Sequence, residues 1–352
     1  MISLAEVLRR HWPAYERKFG ARLLPSHKRA VAALLSCHTP SLGGQLYRCD
    51  CGRMHYAYHS CNHRACPQCG HANTEVWLEK RRRQLLPLPY YLVTFTVPEA
   101  LRRFIRSHPM LCYDALLRES AGALLDVAGS HKNLRAHIGL LALLQTWTRD
   151  LRYHPHVHCL VPAGGLSEDG LRWARTRDAD YFLPQQMLAA RFRNRFKAAL
   201  STQPALFKQI PAQVWRQCWV ADVQKVGNGQ ALLKYLGAYI YRSAFSSQKI
   251  VADDGQSITF AWRDNRKRQR TTRLKAEAFL HRYLQHVLPR GFQRVRHYGW
   301  LSPAARQRWE RILALLDWKE PALKLAAQLP PPQCPVCHQP MLLVARLPRA
   351  PP

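Results

Sequence analysis

Two histidines one residue apart, His156 and His158, lie in an apolar run at 152–161 (Arg-Tyr-His-Pro-His-Val-His-Cys-Leu-Val). Strand side chains alternate with period two, so both imidazoles face one way while Val157 turns to the core. Two buried imidazoles without partners are costly, and a divalent ion satisfies both. Such an ion needs a further ligand. His154 shares the face, but Pro155 bends the start of the strand, so Gln145 in the preceding apolar run ranks above it. Its carboxamide oxygen reaches the ion if that run pairs antiparallel with the histidine strand. The equal alternative is a solvent-facing or backbone-bonded glutamine, since sequence fixes no register. Further along, Lys234-Tyr235-Leu236-Gly237-Ala238-Tyr239 places two tyrosines at i and i+4, on one face of a helix. A phenol pair beside a histidine-held ion suits cleavage of a phosphodiester through a covalent tyrosine ester. The plain alternative for the tyrosines is an aromatic packing stripe.

Eleven cysteines are present, and Cys37, Cys49, Cys51, Cys61, Cys66 and Cys69 crowd the N-terminal region. With no export signal in the first residues, metal is favoured over disulfides. Cys66-Pro67-Gln68-Cys69-Gly70 forms a tight turn that aims two thiolates at one ion. One structural Zn²⁺ is therefore expected, held by Cys66 and Cys69 with Cys49 and Cys51. Cys37 and Cys61 remain as ligands that complete this site or form a second. Cys334-Pro335-Val336-Cys337-His338 resembles half of another zinc knuckle and closes no tetrahedron unless another part of the fold contributes. Cys112, Cys159 and Cys218 have apolar neighbours and read as core.

These residues need elements to hold them. Helix is expected over 1–35, 74–86, 99–130, 183–200, 230–243 and 275–287. Strand is expected over 90–97, 137–147, 154–161, 214–226, 258–262 and 293–301. The order implies an α+β fold, an antiparallel sheet with flanking helices. Four units are expected: 1–86, helical and zinc-binding; 87–250, with the histidine strand and tyrosine helix; 251–328, a C-terminal α/β extension; and 329–352, a loose proline-rich tail. Fifty-three Lys and Arg against 22 Asp and Glu give a net charge of +31. A one-signed field of that size favours a polyanion, with nucleic acid ahead of a membrane surface. Arg81, Arg82 and Arg83, with Arg266, Lys267 and Arg268, are the expected phosphate contacts, and solvated loops are their plain reading. Lys or Arg interrupts every apolar run, so none spans a bilayer, and the cytoplasm is the expected compartment.

His156-Val157-His158 followed by Tyr235-x-x-x-Tyr239 resembles the HUH (His-hydrophobe-His) single-strand endonuclease superfamily. The strings Tyr58-His59-Ser60-Cys61-Asn62-His63-Arg64-Ala65-Cys66-Pro67-Gln68-Cys69 and Leu92-Val93-Thr94-Phe95-Thr96-Val97-Pro98 narrow it further. So do 154–165, 286–292 and Arg296-His297-Tyr298-Gly299. Together they are similar to the rolling-circle transposases of the insertion sequence 91 family, over nearly the whole chain from the cysteines to about residue 305. The family often has Cys-x-x-Cys where this chain has Cys49-Asp50-Cys51, and histidine where it has Gln145. The resemblance implies Mg²⁺ or Mn²⁺ on His156, His158 and a third group, with Tyr235 and Tyr239 as nucleophiles. It also implies a 5′-phosphotyrosyl link to single-stranded DNA at the element's ends and target, and action at the bacterial nucleoid. Two rival readings are a metal-dependent nuclease using water and a zinc-containing DNA-binding regulator.

Overall fold

In the computed structural model, the structure describes residues 2–69, 71–130, 132–176, 181–231, 233, 237, 243–322 and 331–350. Its centre is a five-stranded antiparallel sheet in the order Val295–Gly299, Gly139–Trp147, Tyr153–Pro162, Tyr90–Thr96, Val220–Lys225. The histidine strand is the middle one, paired on both edges, so its backbone donors and acceptors are used within the sheet.

Alternation gives the sheet two unlike faces. Val93, Phe95, Leu140, Ala142, Leu144, Val157, Cys159 and Val161 all belong to the largest core. The helices Pro109–Gly129 and Gln185–Ser201 contribute Leu116, Leu124, Phe192 and Phe196 to the same core. Arg195 ties these helices together, reaching Glu119 at 3.0 Å and Asp126 at 2.9 Å. Gly122 makes room for it, since a Cβ there would lie 2.3 Å from the Arg195 Nε. The opposite face carries Leu141, Leu143 and Leu160, which cluster with Leu78 of the helix His71–Arg82 and with Leu233. Along the same face, towards one end of the strands, follow Thr94, Gln145, His156 and His158.

A second core joins residues of the expected units 1–86 and 251–328. The helices Leu4–Phe19 and Pro25–Ser36 share one apolar cluster with Ile250, Ile258, Phe260, Phe279 and Tyr283. A Ser3/Glu6 capping box starts the first helix, and His11 bonds Asp253 at 3.0 Å across the junction. Two segments far apart in sequence thus share one apolar core. The tail departs from expectation too. Leu342–Leu347 is a strand paired with Gly44–Arg48, which in turn pairs with Met54–Tyr58. The strand expected over 214–226 is only Val220–Lys225, because Ala212–Arg216 forms a short 3₁₀ turn after Pro211. Ser257–Arg263 and Gln269–Lys275 pair as a hairpin whose tip is 264–268.

Candidate active site and cysteine clusters

The two histidines meet at their Nε2 atoms, 3.1 Å apart. His156 Nδ1 lies 2.7 Å from the His154 carbonyl, so Nδ1 donates and the Nε2 lone pair faces inward. His158 Nδ1 is held 3.0 Å from the Thr94 hydroxyl, its cross-strand neighbour. Burial, and for His156 the nearby His158 charge, pushes the pKa of His156 down to about 3; burial takes His158 down to about 4. Both are therefore neutral near pH 7, the form that binds a metal.

Two ligands at about 2.1 Å from one octahedral ion lie roughly 3 Å apart when cis, close to the observed separation. Gln145 pairs directly with His156 across the strands. Its amide nitrogen donates to the Trp147 carbonyl at 3.0 Å, while its oxygen is buried without a partner among the described residues. An orphaned buried acceptor beside two convergent imidazole lone pairs fits a divalent cation, with positions left open for a substrate. His154 meets His156 twice, by its carbonyl at 2.7 Å and by its ring, with centroids 5.1 Å apart.

Tyr235 and Tyr239 lie outside the described residues. Leu233 and Gly237, on either side of Tyr235, are both helical and buried. Leu233 packs in the cluster on the histidine face, and Gly237 lies so close to Leu78 that a Cβ would come within 2.5 Å of its Cδ2.

The expected phosphate contacts divide. Arg81 donates to the Gln84 side chain and stacks over Trp77, Arg82 pairs with Glu79 at 3.5 Å, and Arg83 binds Glu320 and the Pro321 carbonyl. These cations serve the protein's own packing. Arg268 pairs with Asp264 at 2.9 Å, whereas Arg266 and Lys267 stand exposed at the hairpin tip. A basic groove of about 650 Å³ was not legible beforehand. Lys132, Arg135, Arg172 and Arg175 line it with the exposed ring of Tyr181. It gathers residues from separate segments with no local motif.

The expected four-cysteine site is corrected. Cys66 and Cys69 gather with Cys37 and Cys61, while Cys49 and Cys51 gather with Cys334 and Cys337. Within each group all four sulfurs lie within 4.8 Å of one another. In the first, Cys61 Sγ is 3.6 Å from Cys69 Sγ, and the Cys61 and His63 amides each donate to a sulfur at 3.5 Å. Hydrogen bonds from Cys61 and Cys66 push the Cys69 thiol down to about 2 while Cys66 is raised. Four thiolates this close would repel one another, the condition a cation relieves.

The zinc-binding character of this region has independent support. Residues 7–97 match the family model "Transposase zinc-binding domain", and residues 139–308 match the model "Putative transposase". A relative from Sinorhizobium fredii, "Putative transposase y4qJ", is 33% identical over 98% of this chain and 95% of its own. The "Transposase for insertion sequence element IS801" of Pseudomonas savastanoi pv. phaseolicola is 29% identical over 77% of this chain and 69% of its own. This chain belongs to the insertion sequence 91 family of transposases. The second match covers both the histidine strand and Gln145, so the geometry above lies within the family's shared region. As a transposase the protein acts on DNA, which accounts for its charge of +31. Its N-terminal part is a zinc-binding domain. No solved structure matches the chain, and among the described residues no helix is long and apolar enough to cross a membrane.

Proposed function

We propose that this transposase nicks and rejoins single-stranded DNA through a 5′-phosphotyrosyl intermediate, as rolling-circle transposition requires. The observation that carries the reading is the convergence of the His156 and His158 Nε2 atoms beside the unpartnered Gln145 oxygen. These three side chains would hold Mg²⁺ or Mn²⁺, which when bound polarises the scissile phosphate and offsets charge developing on it. The His154 carbonyl and Thr94 fix both rings, so no reorientation is needed as the phosphate enters. Tyr235 and Tyr239, one helical turn apart in the sequence, are the nucleophiles this reading assigns.

In the step itself a tyrosine oxygen loses its proton and forms a bond to phosphorus. The bond from phosphorus to the 3′ oxygen breaks, and that oxygen takes up a proton. The ester keeps the 5′ end on the protein, so attack by another 3′-hydroxyl reverses the step without an external energy source. Two tyrosines allow two 5′ ends to be held in succession. Cys37, Cys61, Cys66 and Cys69 would hold the zinc of the N-terminal domain, a closed tetrahedron that stabilises rather than reacts. Arg266 and Lys267 at the hairpin tip, with the Lys132–Arg175 groove, supply exposed cations for the phosphate backbone, and Tyr181 offers a stacking surface for an unpaired base. Such a substrate sets the work at the bacterial nucleoid.

The test incubates the purified protein with labelled single strands carrying the element's ends, with and without Mn²⁺. A labelled protein adduct on a denaturing gel is expected, absent from the double variant Tyr235→Phe/Tyr239→Phe. Cleavage that survives the double variant would instead identify a hydrolase using water, and binding without cleavage would identify a regulator.

A further inference from the structure

The C-terminal Cys334-x-x-Cys337 turn has no part in the reading above, and the matched zinc-binding domain ends far before it, at residue 97. Yet its sulfurs lie against Cys49 and Cys51. Cys49 Sγ is 3.2 Å from Cys337 Sγ, and Cys51 Sγ is 3.6 Å from Cys334 Sγ. Four sulfurs at about 2.3 Å from one tetrahedral zinc lie roughly 3.8 Å apart, whereas a disulfide needs about 2.05 Å.

Both turns are built alike. The Cys49 amide donates to the Arg53 carbonyl at 2.8 Å and the Gly52 amide to the Cys49 carbonyl at 2.9 Å. The Cys334 amide donates to the Gln339 carbonyl and the His338 amide to the Cys334 carbonyl, both at 2.9 Å. Each loop turns through a residue with positive φ, Gly52 at 84° and His338 at 59°. Each thus closes a short hairpin with two sulfurs on its inner side. Met341 and Tyr47 pack around the sulfurs.

We propose that Cys49, Cys51, Cys334 and Cys337 hold a second zinc ion, which fastens the C-terminal segment to the N-terminal hairpin. The strand Leu342–Leu347 then completes a three-stranded sheet over the same hairpin, and the chain is closed between its two ends. This site is independent of the cleavage chemistry and stands even if that reading fails.

The full-length protein, purified under reducing conditions, should contain two zinc ions per chain by elemental analysis. Cys334→Ser/Cys337→Ser should contain one. In limited proteolysis the double variant should lose the segment after residue 330 early, with the remainder as resistant as the parent. One zinc in the parent, or equal zinc in both proteins, overturns the proposal. So does a mass four hydrogens lighter than the all-thiol chain after zinc removal under non-oxidising denaturation, since it would reveal two disulfides. Should the double variant fold poorly, the parent's zinc count alone still decides.

Discussion

The histidine pair and the Cys37 cluster are both poised for a metal, but they prepare for it in opposite ways. Burial keeps His156 and His158 neutral without any ion, with pKa values near 3 and 4; the His154 carbonyl aims the first and Thr94 across the strands the second. The thiols instead compete for protons, and only a cation lets all four shed them. The histidine site offers two imidazoles and a carboxamide and leaves positions open, whereas the cysteine site is closed by four sulfurs. An open site on a rigid strand can take a substrate, and a closed one in a loop can only hold the fold. The difference lies in coordination and scaffold more than in affinity.

The sharpest test of that contrast is His158→Ala. Covalent adduct formation should fall about a thousandfold, some 4 kcal/mol of transition-state stabilisation, with the melting temperature close to the parent's. A collapse of the fold would show that the pair is structural. Cys66→Ser should do the reverse. It should lower unfolding free energy by about 3 kcal/mol or more in urea titration, with activity lost only as the folded fraction falls. Retention of full stability would place the zinc elsewhere.

Acid should act next on a third buried imidazole, His286, which meets the Thr146 hydroxyl at 3.2 Å and the Leu151 carbonyl at 3.3 Å. Burial holds His286 down at about 3, against about 6.5 when unfolded, so it contributes stability that is complete above 6.5. Below that the unfolded chain binds the extra proton, and stability falls by about 1.4 kcal/mol per pH unit for this group until pH approaches 3. Urea midpoints at pH 7, 6 and 5 should show a shallower decline in His286→Gln than in the parent. The smallest effect is expected at Gln145. Gln145→His should keep adduct formation within about tenfold, because either side chain can supply the third ligand. Gln145→Leu should raise the Mn²⁺ concentration needed for half-maximal rate, and an unchanged metal requirement would remove Gln145 from the site.

What could be read early were features carried by a few neighbouring residues. The His156-Val157-His158 alternation requires only the two-residue period of a strand, and the Cys66–Cys69 turn only local geometry. Most elements of the central sheet were legible for the same reason, and so was the α+β class. Charge on its own did not reveal that Arg83 lies close to Glu320 and the Pro321 carbonyl.

Sequence by itself therefore determined which side chains share a face and which thiols share a turn. Only the tertiary structure decided that Cys66 and Cys69 meet Cys37 and Cys61, that Cys49 and Cys51 meet Cys334 and Cys337, and that the N-terminal helices share a core with 250–287. Each of those pairings closes a loop of the chain, from a few tens of residues to nearly its whole length. Loop closure grows in cost only slowly with length, so no local pattern marks which distant partner will be chosen. The choice falls to whichever apolar faces and strand edges fit when the whole chain packs.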